Sequence, residues 1–298
     1  MSEVLSELST ALAGAVETAG PAVVRVEARR RYPGSGIVWS ADGVIVTASH
    51  IVRRDDNIRI GVGEESVDAE LVGRDEATDI AVLRARSGTY SPVRWADADA
   101  IKVGHITLAL GRPGRSVRAT MGIVSAVGGE WRSPGGGRFE RYLQADVSMH
   151  PGFSGGLLID SAGSALGMNT SGLLRAATPT IPAADIQRVT EALLAHGAVS
   201  RGYLGITPQP ARLPGALEEQ LGQATGLLVT YVEPDGPAGA AGVLLGDVIT
   251  SFDGSPVIGI DDLFAALADS AARSAKLGLI RAGELREVAA TIGERGKS

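Results

Sequence analysis

The 298-residue sequence has no cysteine, and aromatic side chains make up only 4% of it. The first absence removes thiol catalysis, disulfides and cysteine-based zinc sites. It leaves the compartment open, because many exported proteins also lack disulfides. The second means that the 44% hydrophobic content must build its cores from Val, Ile, Leu and Ala. A long apolar run is missing too. Residues Met1 to Gly20 hold Glu3, Glu7 and Glu17 and no basic residue. They match neither a secretory leader with its basic start nor a membrane span of ~20 apolar residues. Val4, Leu5, Leu8, Leu12 and Val16 recur at helical spacing instead, which predicts an amphipathic helix over residues 1–20. The expectation is a soluble cytoplasmic chain without a membrane anchor, or a periplasmic or extracellular one if an export signal has been removed. The net charge of −6 comes with scattered arginines and no basic stripe, so no nucleic-acid partner is expected.

Glycine, by contrast, is abundant: 40 residues, about twice the usual share of ~7%. Without a collagen-like period, such an excess fits many tight turns and a largely β chain. From Ala22 to Thr170 short β-rich runs follow one another, among them Val23 to Glu27, Val44 to Thr47, Asn57 to Ile60, Ile80 to Leu83, Ile106 to Leu110 and Gly122 to Ser125. The Asp42-Gly43 pair reads as a tight hairpin turn with both positions at positive φ. Such spacing suggests closed or sandwiched antiparallel sheets. The Gly-rich stretch from Gly128 to Gly137 reads as mobile. A helix is predicted from Ala183 to His196, started by Pro182 and stopped by Gly197. The chain beyond it mixes strands and helices, including one capped by Asp261-Asp262 with Leu263, Phe264 and Leu267 on its buried side. The length fits two domains of roughly 100–200 residues.

A serine that attacks a peptide bond needs a base for its proton, a carboxylate to orient that base, and backbone donors for the oxyanion. Pro151-Gly152-Phe153-Ser154-Gly155-Gly156 can expose a hydroxyl on a sharp turn and aim the amides of Gly152 and Ser154 at one carbonyl oxygen. On this segment alone, a Gly-rich β-turn with an ordinary serine accounts for it equally well. The four histidines are His50, His105, His150 and His196. His50 ends an apolar strand at a small-residue turn, where an imidazole can stand at a barrel's edge. His105 and His196 have structural explanations, the latter at a helix C-terminus. His150 lies close enough to Ser154 to help shape its loop. Asp79 directly precedes the apolar run Ile80-Ala81-Val82-Leu83, although a turn-forming aspartate would look the same.

Taken in order, these segments resemble the HtrA family of trypsin-like serine proteases. The resemblance runs through Gly34-Ser35-Gly36-Ile37-Val38, Thr47-Ala48-Ser49-His50, Thr78-Asp79-Ile80-Ala81-Val82-Leu83, Gly122-Ile123-Val124-Ser125-Ala126, Gln144-Ala145-Asp146, the Ser154 segment and Gly167-Met168-Asn169-Thr170. Beyond it, Arg201-Gly202-Tyr203-Leu204-Gly205-Ile206, Pro237-Ala238, Ala241-Gly242 and Gly246-Asp247-Val248-Ile249 look like the PDZ module that follows the protease in this family. The resemblance implies a mainly β fold: a trypsin-like double six-stranded β-barrel over residues 21–197, then an α+β PDZ domain over 198–298. It implies a serine endopeptidase acting on unfolded or misfolded proteins, with His50 as base, Asp79 as its partner and Ser154 as nucleophile. Gly152 and Ser154 would supply the oxyanion amides. Met149, Met168, Asn169 and Thr170 would line the specificity pocket, and the lack of an acidic residue among them implies apolar side chains before the cut. Arg201, Tyr203, Leu204, Gly205 and Ile206, facing Leu263 and Leu267, would bind peptide C-termini as an added strand. No cofactor and no metal are implied.

Some features depart from the family. Phe153 and His150 stand where it usually has Asn, and Leu157 where it usually has Pro. The Arg29 to Gly34 stretch is short where some relatives carry a long regulatory loop. No aromatic residue precedes Tyr32, so a homotrimer rests on the resemblance alone. Two other readings compete. An α/β-hydrolase would share the G-x-S-x-G pattern around Ser154, but it needs a helix after the serine and a late histidine. Here Leu157 to Asp160 and Ala165 to Met168 read as strands instead. The other competitor is a catalytically silent PDZ scaffold or chaperone, against which the presence of all three side chains speaks.

Overall fold

The computed structural model describes residues 2–30, 32–174, 177–268 and 270–295. The chain divides into two compact units, Met1–Ala198 and Val199–Ser298.

The first unit holds two six-stranded β-sheets. Val23–Glu27, Gly34–Val38, Val44–Ala48, Ile80–Ala85, Glu65–Asp75 and Ile58–Val62 close into a barrel in that spatial order. Every residue of Val44–Ala48 is buried, which suits a run dominated by β-branched side chains. Burying each Val or Ile of such a strand contributes roughly 1.5–3 kcal/mol relative to leaving it exposed. The second sheet has the order Tyr142–Ala145, Arg118–Gly128, Ile106–Gly111, Leu157–Asp160, Ala165–Asn169 and Thr180–Pro182. An isolated bridge from Gln144 to Pro179 links its first and last strands and rounds the sheet towards a second barrel. Helix Ala183–His196 ends at Gly197 in the left-handed region (φ 71°), as its sequence predicts.

Three expectations differ from what is observed. In the Asp42-Gly43 turn only Gly43 has positive φ (88°). The Gly43 N–H donates to the Ser40 carbonyl (3.2 Å) and the Ser40 hydroxyl bonds Asp42, so the loop is longer than a two-residue hairpin. The stretch read as mobile contains a small hairpin, Trp131–Arg132 with Arg138–Phe139. Trp131 stacks on the buried Phe139 at 4.6 Å, and the Ser133 hydroxyl donates to the Ala77 carbonyl (2.6 Å). That hairpin therefore packs behind the turn that presents Asp79. The N-terminal helix Ser2–Ala19 exists, but Val4, Leu5 and Leu8 are exposed and burial is confined to Ala15 and Ala19 near its end.

In the second unit, Ile206–Arg212, Thr225–Val232, Val248–Phe252, Ser274–Arg281 and Glu284–Thr291 form an antiparallel sheet with Ile206–Arg212 at one edge. Helix Ile260–Ala268 buries Leu263 and Leu267 in the same core as Leu204, Leu227, Ile249 and Leu277. The Asp262 carboxylate accepts the N–H groups of Ile258 and Gly259 (both 2.9 Å) and so fixes the entry to this helix.

Candidate active site

His50 and Asp79 meet because of strand register. Val44–Ala48 pairs with Ile80–Ala85 so that Ala48 faces Ile80. The residue shortly after the first strand and the residue just before the second therefore lie at one end of the barrel. His50 sits in the single 3₁₀ turn Ser49–Ile51. Asp79 is held at φ 56°, a conformation that Asp tolerates better than most residues. Its Oδ1 accepts the His50 backbone N–H (2.8 Å), and its Oδ2 lies 2.9 Å from His50 Nδ1. The Asp79 side chain is 5% exposed and the imidazole 29%. The carboxylate is thus shielded from competing water, while the ring remains open to a substrate.

Ser154 is placed by the second sheet. The Gly155 N–H donates to the Asn169 carbonyl and the Asn169 N–H to the Gly156 carbonyl, both at 2.8 Å. These bonds lay the serine turn beside the segment Thr170-Ser171-Gly172. The Ser154 hydroxyl is 3.1 Å from that of Ser171. Gly152 adopts φ 90°, which only glycine takes without strain. Neither the Gly152 nor the Ser154 amide has an acceptor among the described residues. Both residues are buried and both line a cleft of about 220 Å³ shared with Arg29, His50, Met149, His150, Pro151 and Ser171. Two unpaired buried N–H groups beside a hydroxyl and an imidazole form the donor arrangement that a developing oxyanion needs.

The structure divides the four residues expected at the specificity pocket. Met149 lines the cleft. Met168 is fully buried, and Asn169 donates from Nδ2 to the Leu157 carbonyl (2.6 Å). The Thr170 hydroxyl donates to Asp79 Oδ2 and so supports the His–Asp pair. Residues that sequence reasoning missed include Arg29 and Ser171 in the cleft, and Gly172. A Cβ at Gly172 would lie 2.5 Å from His50 Nδ1 and 2.6 Å from Asp79 Oδ2, so no larger residue fits over the pair. Burial and the nearby Arg53 hold the Arg29 guanidinium below the usual arginine pKa. Among the described residues no acidic one lines the cleft.

In the second unit, Gly205 has φ 74° and the amides of Leu204 and Gly205 have no acceptor among the described residues. Strand Arg201–Tyr203 pairs with Gly293–Arg295, and the Tyr203 hydroxyl bonds Glu233. Ile206 starts the edge strand and packs, half-buried, on the core that contains Leu263 and Leu267.

The fold and these two loops define a class: residues 34–168 match the trypsin-like peptidase domain, and residues 202–292 the PDZ domain. Named relatives narrow it. The probable periplasmic serine endoprotease DegP-like of Ectopseudomonas mendocina is 34% identical over 268 residues, covering 87% of this chain and 56% of that protein. Its namesake in Pseudomonas savastanoi pv. phaseolicola is 36% identical over 270 residues, covering 87% and 55%. The chain spans about half the length of these curated relatives. Among solved structures, the HtrA-type protease AlgW with tripeptide matches with a TM-score of 0.70 at 31% identity, covering 96% of this chain and 98% of that one. The serine endoprotease from Yersinia pestis gives 0.73 at 30% identity, covering 95% and 97%. The chain belongs to the HtrA-type serine protease family.

Proposed function

We propose that this chain is a serine endopeptidase that cleaves unfolded or misfolded polypeptides through an acyl-enzyme, and that its PDZ domain binds polypeptide C-termini. The observation that carries the reading is one cleft. It joins the His50–Asp79 hydrogen bond, the Ser154 hydroxyl and the unpaired amides of Gly152 and Ser154. In the reaction the imidazole takes the Ser154 proton as Oγ attacks the peptide carbonyl. Asp79 holds the ring's orientation and stabilises the imidazolium. The carbonyl oxygen becomes the oxyanion facing the two amides. His50 then gives its proton to the departing amine, leaving the acyl group on Ser154. Water, activated by the same imidazole, releases the acid.

Met149, and the lack of an acidic residue among the described residues that line the cleft, support small or medium apolar side chains before the cut. Among the described residues no helix is long and apolar enough to cross a membrane. The relatives' names favour the periplasmic alternative over the cytoplasmic expectation. A homotrimer remains part of the proposal on family grounds, to be checked by analytical ultracentrifugation. Cleavage of an unfolded protein by the wild type and by Ser154→Ala tests the activity itself. Equal proteolysis by both would refute it.

A further inference from the structure

We propose that Ser35 and Phe153 are positioning residues that clamp the oxyanion loop in its assembled form, so that the hole stands ready before substrate arrives. The inference rests on the reading of Ser154 as nucleophile. It begins with the Gly34-Ser35-Gly36 motif, which the proposed mechanism leaves unused.

Ser35 is fully buried in the first barrel, yet each of its polar groups is committed. Its hydroxyl donates to the Gly152 carbonyl at 2.6 Å and accepts the Arg112 N–H at 2.7 Å. Because Arg112 can only donate, the hydroxyl proton must point at Gly152. The Ser35 N–H donates to the Ser154 carbonyl (3.1 Å), and the Ser35 carbonyl accepts from the Thr47 hydroxyl (2.6 Å). Arg112 is fixed in turn: its guanidinium bonds the carbonyls of Val23, Arg115 and Gly20.

The consequence falls on one peptide plane. The Gly152–Phe153 peptide lies between the two oxyanion amides. Its carbonyl is held by Ser35, and its N–H donates to the His150 carbonyl at 3.0 Å. Rotating that plane would break both bonds and swing the amides on either side. Phe153 resists such rotation from below. It is fully buried in the second barrel's core with Ala109, Val124, Leu143, Ala145, Leu158 and Leu166. Its ring meets His150 edge-on at 5.6 Å. Gly111 makes room for it, since a Cβ there would come within 2.8 Å of the ring. An asparagine in its place would have to bury an amide in this apolar cluster, at a cost unless hydrogen-bonded.

The test compares wild type, Ser35→Ala and Phe153→Leu, each titrated for active sites by exhaustive labelling with a peptidyl phosphonate. Steady-state hydrolysis of a chromogenic peptide gives kcat and KM. Inhibition by a peptide boronate, whose tetrahedral adduct mimics the oxyanion, is set against binding of the matching product peptide. Each variant should lose ~10–100-fold in kcat, as a displaced oxyanion donor does. Boronate affinity should fall in parallel, while KM and product binding stay within about threefold. Should one variant fail to fold, the other reads the same clamp from its opposite side. A wild type that turns over and labels, with folded variants matching its kcat and boronate affinity, overturns the clamp alone. A wild type that neither hydrolyses the peptide nor labels overturns the reading of Ser154 and the clamp with it.

Discussion

The Ser154 loop and the Leu204-Gly205 loop solve a similar problem in different ways. Each uses a glycine at positive φ, Gly152 at 90° and Gly205 at 74°, and each leaves two amides without an acceptor among the described residues. Both are suited to negative charge. On the proposed function, charge at the first would exist only in the transition state, so its donors would help only if their geometry were fixed in advance. The loop is accordingly tied to Ser35 and packed through Phe153. The second would meet a permanent carboxylate that can settle into place. It is held by main-chain bonds from Glu233 N–H to the Gly205 carbonyl and from Ala238 N–H to that of Leu204, both 2.8 Å, and by the Leu204 side chain buried in the second core. The strand it opens is an edge strand containing Pro208 and Pro210. Proline is tolerated there because an edge has unpaired positions, but it has no N–H to offer an incoming peptide. On the proposed function, the first loop needs donors fixed in advance, whereas the second would meet a ligand that brings its own charge.

The sharpest way to break this contrast is Ser154→Ala, which should lower cleavage of an unfolded protein by ~10⁶-fold. Circular dichroism should show the fold intact, since the change removes one hydroxyl. His50→Ala should be comparably inactive. Proteolysis near the wild-type rate by either variant would remove the catalytic half of the comparison.

The second unit has its own anchor. Asp247 is buried and receives Arg281 Nε at 2.8 Å and Nη2 at 2.7 Å, as well as the Leu244 N–H at 2.8 Å. Burial pushes its pKa upward, but the Arg281 and Leu244 bonds outweigh it and hold the carboxyl below the ordinary range. With the folded pKa below the unfolded value of ~3.9, this contribution is complete above about pH 4. It is lost as pH falls through the folded value. Asp247→Asn should destabilise this unit at neutral pH, because it weakens the bonds from Arg281 Nε and Nη2 and from the Leu244 N–H. Urea melts of the full chain with a probe in residues 199–298 would measure the loss, which should shrink towards pH 3.

Gly172→Ala sharpens the catalytic side. Its methyl would push His50 and Asp79 apart, and kcat should fall by ~10²-fold with KM little changed. Wild-type kinetics from this variant would mean that the pair tolerates displacement. The smallest effect expected is at the peptide site. Amidating the C-terminus of an apolar peptide should weaken its binding at least ~10-fold from a micromolar starting point. Calorimetry on the 298-residue chain carrying Ser154→Ala avoids cleavage of the ligand. Equal binding of acid and amide would leave the Leu204-Gly205 loop without its anion.

The legible parts of the molecule have local causes. Strand Val23–Glu27 and helix Ala183–His196 fall where β-branched alternation and the Pro182/Gly197 boundaries put them. His50, Asp79 and Ser154 are singled out by the ordered motifs that resemble the HtrA family, since each alone also fits a structural residue. Ser35, Ser171 and Gly172 are not. They are small residues without periodic signal, and their roles arise only when long-range register sets them against Gly152, Ser154 and Asp79. The resemblance puts Thr170 in the pocket, yet its hydroxyl turns to Asp79. The Gly128 to Gly137 stretch looked mobile by composition because glycine content cannot report that Trp131 stacks on Phe139.

The central claim, that Ser154 is a nucleophile activated by His50, is met most directly by covalent labelling. A peptidyl phosphonate with an apolar residue next to phosphorus would be incubated with the protein, and the adduct located by peptide mass spectrometry. One adduct per chain is expected, on Ser154, and none in His50→Ala. No adduct in the wild type, an adduct on another residue, or undiminished labelling of His50→Ala would contradict it.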